Sequence, residues 1–216
     1  MPDCTQPPDD QALRRALDAR YTPLAAEASS LSCGGALRTA APRPGETVVD
    51  LGCGRGAEVI RAAQLVGPGG RAVGVDGNRT MLAQARARAL DVPGARFLEG
   101  DLAAVPLPDA EADVVVSNCA INHARDKGAV FREIHRLLRP GGRFAVSDVV
   151  AVRPLPESVR NDPAAWAACY GGAITEAEYL EAMTRAGLSD VRVTRRSAPY
   201  ERGGAEVLSV TVVGTR

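Results

Sequence analysis

The chain almost lacks lysine: Lys127 is its only one, so arginine carries nearly all of the positive charge. That is read as a compositional bias, without functional meaning. Neither sign of charge dominates, since 26 basic residues face 26 acidic ones, and a nucleic-acid-binding surface therefore has no global electrostatic support. No apolar run is long enough to span a membrane. The start, Met1 to Asp10, is polar, contains Pro2, Pro7 and Pro8, and has no apolar stretch of the kind a secretion signal needs. These absences argue against nucleic-acid and membrane partners and lead us to expect a cytoplasmic protein. Cysteine is scarce and scattered: Cys4, Cys33, Cys53, Cys119 and Cys169 are odd in number and far apart, which argues against a disulfide framework. There is no internal repeat and no low-complexity segment.

What is present suits one enzyme domain. With 216 residues and 45% hydrophobic content, the chain can bury one sizeable core and has little room for a second. We expect residues 1–44 to form a cap or lid, 45–150 a cofactor-binding core, 151–189 a helical cap on the substrate side, and 190–216 terminal strands. Leu13 and Leu17 share one face of a helix over 10–20, followed by a loop-rich entry from Tyr21 to Gly35. Strand and helix patterns then alternate: strand 47–51, helix 56–66, strand 71–75, helix 78–90, strand 95–98, strand 112–117, helix 127–138, strand 143–149. A helical segment over 157–187 and two strands near 190–197 and 206–213 complete the chain. The expected fold is α/β: a doubly wound, mostly parallel, seven-stranded sheet with a C-terminal antiparallel strand pair and a helical cap.

The most informative stretch is Val48-Val49-Asp50-Leu51-Gly52-Cys53-Gly54-Arg55-Gly56, an apolar strand running into a glycine turn that opens a helix. Glycines let a ligand approach the backbone where a Cβ would collide, and the helix start offers unpaired N–H groups. Gly52, Gly54 and Ala57 also satisfy the permissive dinucleotide pattern. Asp50 argues against that, because a carboxylate beside the turn would repel a pyrophosphate and suits a cation such as the sulfonium and amino group of S-adenosylmethionine. Asp76 ends the next apolar run, about 20 residues after the glycines, the spacing of a ribose-hydroxyl acceptor. Asp101 follows a third strand and could accept from an adenine amino group.

These motifs, Asp50-Leu51-Gly52-Cys53-Gly54, Val75-Asp76, Gly100-Asp101 and Leu137-Leu138-Arg139-Pro140-Gly141-Gly142, resemble the class I S-adenosylmethionine-dependent methyltransferases, a Rossmann-like family. A narrower resemblance follows. Val116-Ser117-Asn118-Cys119-Ala120-Ile121-Asn122, Asp126-Lys127, Val130-Phe131-Arg132-Glu133 and Phe144-Ala145-Val146-Ser147-Asp148-Val149-Val150 look like the arsenite methyltransferase family. So do Leu155-Pro156, Arg160-Asn161-Asp162-Pro163, Trp166-Ala167-Ala168-Cys169, Gly172-Ala173 and Cys33-Gly34-Gly35-Ala36-Leu37. The resemblance implies S-adenosylmethionine as cofactor, held by Asp50, Gly52, Cys53, Gly54, Asp76, Gly77, Met81, Asp101, Leu102 and Asn118. It implies a trivalent arsenical as substrate, a reducing thiol as partner, and Cys33 and Cys169 as the metalloid ligands. Arsenic(III) is thiophilic, and its lone pair needs no deprotonation before it takes a methyl group.

The departures count as well. The chain has no cysteine after Cys169, Cys4 lies in no recognisable motif, no proline directly follows the Cys33 motif, and His123 stands where the family tends to be apolar. Two protein thiolates can hold a monomethylated arsenic, whereas arsenite would want a third sulfur from a small thiol, Cys4 or Cys119; methylarsenite is therefore the preferred acceptor. Asn118 and His123, in the loop after the fourth strand, join the cysteines as catalytic candidates. An imidazole there could deprotonate a hydroxyl or amine, so methylation of an oxygen, nitrogen or carbon of a small organic molecule stays open as the alternative. A non-catalytic, cofactor-binding or metalloid-sequestering protein is the third reading. Cys53 and Cys119 are expected to pack as small residues, His135 to be a surface or packing residue, and Arg195 and Arg196 to be solvated charges.

Overall fold

A computed structural model describes residues 7–26 and 34–216. Cys4 and Cys33 lie outside the described residues, so the expected meeting of Cys33 with Cys169 does too.

The sheet is built from β1 (Thr47–Leu51), β2 (Arg71–Asp76), β3 (Ala95–Glu99), β4 (Ala112–Asn118), β5 (Leu138–Ala151), β6 (Ser189–Arg196), β7 (Tyr200–Arg202) and β8 (Ala205–Thr215). Its main path holds seven strands in the order β3-β2-β1-β4-β5-β8-β6, and the short β7 pairs only with β8. β1, β2, β3, β4 and β5 pair in parallel, while β8 runs antiparallel to both β5 and β6. The expected parallel sheet with a C-terminal antiparallel pair is therefore present, with β7 added through the Gly203-Gly204 turn. Val48, Val49, Asp50 and Leu51 are all buried, as a central parallel strand covered on both faces requires.

Eight helices appear among the described residues: α1 (Asp10–Leu24), α2 (Ala36–Ala40), α3 (Ala57–Val66), α4 (Arg79–Arg88), α5 (Lys127–Leu137), α6 (Glu157–Arg160), α7 (Pro163–Ala167) and α8 (Glu176–Arg185). Their starts are legible in sequence. Asp9 caps α1, Asn78 caps α4 and Asp126 caps α5, each accepting from a first-turn N–H, and Thr175 with Glu178 forms a capping box on α8. One core, including Val115, Phe131, Ile134, Val146 and Tyr179, lies on the α5 and α8 side; a second, including Leu37, Val59, Leu82 and Val116, lies on the α2, α3 and α4 side. A third cluster seats α6 and α7 over the far ends of β5 and β8.

Three expectations need correction. Tyr21 is not in a loop: α1 runs on to Leu24 and carries it. β5 begins at Leu138, because the Arg139-Pro140-Gly141-Gly142 segment joins the sheet as an irregularity opposite Ala112 and Val114. The segment 157–187 is three helices, broken at Cys169, whose φ is +68°. No helix among the described residues is long and apolar enough to cross a membrane.

Candidate functional site

The glycine loop sits between β1 and α3. Asp50 is buried, and no hydrogen bond from a described residue reaches its carboxylate; burial first, then the Glu58 and Asp76 carboxylates, push its pKa up to about 8. A buried carboxyl without a donor fits a cationic ligand group. Gly54 has φ +51° and open space where a Cβ would stand, which leaves the loop clear for a ligand. Both observations fit S-adenosylmethionine. Asp76 at the end of β2 accepts from the N–H of Gly54 at 2.8 Å and of Asn78 at 2.8 Å, joining the glycine loop to the cap of α4. Burial raises its pKa against those donors.

The remaining cofactor candidates divide. Gly77 follows Asp76, and a Cβ there would stand 3.8 Å from the carbonyl of Gly100. Asp101 is exposed and accepts from the N–H of Ala103 at 2.8 Å, while Leu102 packs partly buried against the first core. Met81 is buried near the start of α4. Cys53 behaves as core: its N–H donates to the carbonyl of Val75 at 3.1 Å, and its sulfur fills the space beside Gly74. Gly52 has φ +76°, and a Cβ on it would lie 2.2 Å from that of Ala120. That contact presses the cofactor loop against the loop leaving β4.

The β4 exit loop holds the rest. Asn118 Oδ1 accepts from the N–H of Ala36 at 3.2 Å, and its buried Nδ2 has no partner among the described residues. Cys119 and Cys169 both adopt left-handed backbone, at φ +54° and +68°, a conformation that costs an ordinary residue energy and clusters at functional sites. The Cys169 thiol donates to the carbonyl of Cys119 at 3.2 Å and lies 3.3 Å from both Nε2 of His123 and the Tyr21 hydroxyl. His123 Nδ1 is 3.0 Å from the carbonyl of Trp166. A carbonyl only accepts, so Nδ1 carries the proton and Nε2 presents its lone pair to Cys169 and Tyr21. Burial lowers the His123 pKa to about 4 and pushes the Cys169 thiol up to about 11. At neutral pH both are uncharged.

A buried polar clamp holds this arrangement. Asn122 Nδ2 donates to the backbone carbonyls of Cys169 at 3.2 Å and Val149 at 2.6 Å, and to Asp148 at 2.9 Å. Asp148 also accepts from Val149 N–H at 2.9 Å and Tyr179 hydroxyl at 3.4 Å. Gly172 closes it: a Cβ there would stand 2.1 Å from the carbonyl of Asn122. Lys127 is buried beneath, donating to the carbonyl of Ala124 at 3.2 Å and lying 5.3 Å from the Trp166 ring centre. Burial pushes the Asp148 carboxyl up and the Lys127 ammonium down.

Sequence reasoning missed Tyr21, Asn122, Asp148 and Lys127 as parts of this site. The lone lysine was a signal, since a chain that uses arginine elsewhere places its one compact ammonium inside. Nothing in the sequence pointed to Tyr21. Cys119, expected to pack behind Asn118, instead lines a cavity of about 420 Å³ between α2 and the ends of β5, β6 and β8.

A profile described as a methyltransferase domain matches residues 42–187. The arsenite methyltransferase of Halobacterium salinarum is 39% identical over 79% of this chain and 44% of its own length, and that of Aquipseudomonas alcaligenes is 41% identical over 68% of this chain and 45% of its own. This chain thus spans less than half the length of those two relatives. Among solved structures, the arsenic(III) S-adenosylmethionine methyltransferase of Chlamydomonas reinhardtii superposes with a TM-score of 0.75 at 30% identity, covering 98% of this chain and 74% of that one. Phosphoethanolamine N-methyltransferase 2 of Haemonchus contortus has a TM-score of 0.75 at 19% identity over 94% of this chain and 60% of its own, a likeness of fold alone.

Proposed function

The chain belongs to the arsenic(III) S-adenosylmethionine methyltransferases, and on that premise we propose that it methylates trivalent arsenic held by Cys33 and Cys169, with methylarsenite the preferred acceptor. The setting of Cys169 carries the reading: its sulfur is fixed within 3.3 Å of a neutral imidazole lone pair and a phenol, in a backbone turn clamped by Asn122. Gly34 supports the second ligand. A Cβ on Gly34 would stand 2.1 Å from Oδ1 of Asn118 and 2.5 Å from Cβ of Ser147, and consecutive Cα atoms are about 3.8 Å apart, so the residue after Cys33 touches the same loop.

When bound, S-adenosylmethionine supplies a sulfonium methyl group that an arsenic lone pair can take without a base. Asp50, Gly54, Asp76 and Asp101 are the residues we assign to hold it, Asp50 through its unpartnered carboxylate. Cys169 enters the reaction as a thiol. As its bond to arsenic forms, an arsenic–oxygen bond breaks, and the thiol proton leaves with the hydroxide as water. His123 Nε2 is an acceptor within reach of that proton. Two protein sulfurs fill the positions open on monomethylated arsenic. Taking the methyl group on its lone pair raises arsenic to the pentavalent state, and the two cysteine sulfurs return it to the trivalent state by leaving together as a disulfide. A small reducing thiol then reduces that disulfide to the two starting thiols.

Methylation of a small organic acceptor with His123 as general base is the competing reading. Against it stands the commitment of Nε2 to Cys169 and Tyr21. The deciding assay is turnover of S-adenosylmethionine with methylarsenite or arsenite and a reducing thiol, with methylated arsenic detected by mass. Product that vanishes in Cys169→Ser is expected; cofactor binding with no arsenic product would overturn the proposal.

A further inference from the structure

Lys127 is the one lysine in a chain whose other strongly basic residues are all arginine, and it is buried. The reaction described above gives it no task. A buried ammonium needs compensation, yet no carboxylate among the described residues forms an ion pair with it. It is held otherwise. Its Nζ donates to the carbonyl of Ala124 at 3.2 Å and lies 5.3 Å from the centre of the Trp166 ring, within cation–π reach, while Asp148 and then Asp126 attract it from farther off. A compact charge on a flexible stem suits one carbonyl and one ring face, where the rigid five-donor fork of arginine would leave donors bare.

These partners support His123 from different sides. Ala124 ends the single-turn segment Ile121–His123, so the ammonium fixes the backbone directly after the imidazole. Trp166 supplies the carbonyl 3.0 Å from His123 Nδ1, and its own Nε1 donates to the carbonyl of Arg160 at 2.7 Å. Asp148 accepts from the N–H of Asn122 at 3.2 Å and from its Nδ2 at 2.9 Å, which fixes the residue directly before the imidazole. We propose that Lys127 is a positioning residue that ties this turn to Trp166, so that the His123 ring keeps Nδ1 on the Trp166 carbonyl and turns Nε2 to the Cys169 sulfur. This rests on the reading of His123 as proton acceptor in arsenic methylation. Without the ammonium, the Ala124 carbonyl loses its donor and the Trp166 ring its charged neighbour, and the imidazole is free to exchange its proton between the two nitrogens.

Nuclear magnetic resonance of protein carrying nitrogen-15 histidine reads that proton directly. The chain has two histidines, and His135→Gln assigns the signals. In the wild type at pH 7, His123 should show a protonated Nδ1 and an unprotonated Nε2. In Lys127→Met, which keeps the side-chain length and removes the charge, the two nitrogen shifts should converge as the tautomers mix. Unchanged shifts in a variant whose thermal melt shows it folded overturn the proposal. A structural lysine would alter the melt and leave the ring nitrogens as they were.

Kinetics supply the second test. Lys127→Met should lower kcat with methylarsenite by about ten-fold and move KM by less than about two-fold, and in a His123→Leu background it should cost nothing further. Losses that multiply in the double variant show that Lys127 acts apart from the imidazole and overturn the proposal. Should Lys127→Met fail to fold, the wild type decides. The chain has one lysine and one tryptophan, so a nuclear Overhauser effect between the lysine ε-methylene and the indole is expected, and its absence overturns the proposal. The tautomer is read without substrate: a proton fixed on Nδ1 only while Lys127 is present, in a protein that methylates no arsenic, overturns the functional reading alone.

Discussion

Nε2 of His123 faces the sulfur of Cys169 at 3.3 Å, with its tautomer fixed by the carbonyl of Trp166 at 3.0 Å on the other side of the ring. The two residues are 46 positions apart in the chain. Their pairing separates the arsenic reading from its organic-acceptor rival. Cys169→Ser should abolish arsenic methylation while leaving S-adenosylmethionine affinity within about two-fold, and His123→Leu should slow it by about a hundred-fold, the low end of what a positioned proton acceptor contributes. If Cys169→Ser turned over an organic acceptor at the wild-type rate and His123→Leu did not, the roles would be reversed.

Asp50 ties stability to cofactor binding with opposite signs. Its carboxyl is pushed up to about 8 in the folded protein, while the unfolded chain ionises near the ordinary value of about 3.9. Between those values the unfolded state has lost a proton that the folded state keeps, so stability falls as pH rises, by up to about 1.4 kcal/mol per pH unit, and levels off above pH 8. Asp50→Asn should therefore melt higher than the wild type at pH 8 without cofactor, yet bind S-adenosylmethionine at least ten-fold more weakly. Calorimetry in two buffers of different ionisation enthalpy should show proton release on binding to the wild type at pH 7, and none from the variant.

His123 predicts a second slope at lower pH. Its pKa is depressed to about 4 against an ordinary value of about 6.5. Stability is fully present above pH 6.5 and is lost as pH falls toward 4, because only the unfolded imidazole takes up the proton in that window. Denaturant midpoints measured from pH 7 to pH 4.5 should fall more steeply for the wild type than for His123→Leu. Parallel curves would show that the imidazole is solvated.

The Asn122 clamp should be costly to break. Asn122→Ala removes the side-chain donor shared by the carbonyls of Cys169 and Val149 and leaves Asp148 Oδ1 only the N–H of Val149, and should lose about 2 to 4 kcal/mol of stability, the scale of buried groups left unsatisfied. Gly172→Ala should cost about 1 to 3 kcal/mol through overpacking, since its Cβ would sit 2.1 Å from the carbonyl of Asn122. Urea denaturation reads both. An unchanged midpoint in either variant would mean the clamp is looser than its distances.

Gly52→Ala places a side chain at φ +76° and 2.2 Å from Cβ of Ala120. Cofactor binding should be lost or fall by more than ten-fold, while Gly45→Ala, also at positive φ but with nothing within 4 Å, should lose stability alone. Equilibrium dialysis with labelled cofactor distinguishes them.

The cofactor side was legible because its signals are local. A buried strand, a glycine turn and a helix start follow one another within ten residues, and Asp50, Asp76 and Asp101 each mark a strand end that periodicity alone locates. The substrate side was not. Asn122 and Asp148 stand in motifs that the sequence shows but to which it assigns no role. The loop-rich reading that starts at Tyr21 fails because Pro23 falls in the last turn of α1 and does not end the helix before it, so Tyr21 is still helical.

The sequence by itself determined the order of strands and helices, the parallel sheet with its antiparallel end, and the cofactor loop, since these follow from hydrophobic period and from backbone angles only glycine adopts readily. Tertiary structure decided the rest. Tyr21, His123 and Cys169 come from three segments separated by 102 and 46 positions. No local pattern records such meetings, because they are fixed by where a long crossover returns to the sheet and by which buried polar groups then find one another instead of water.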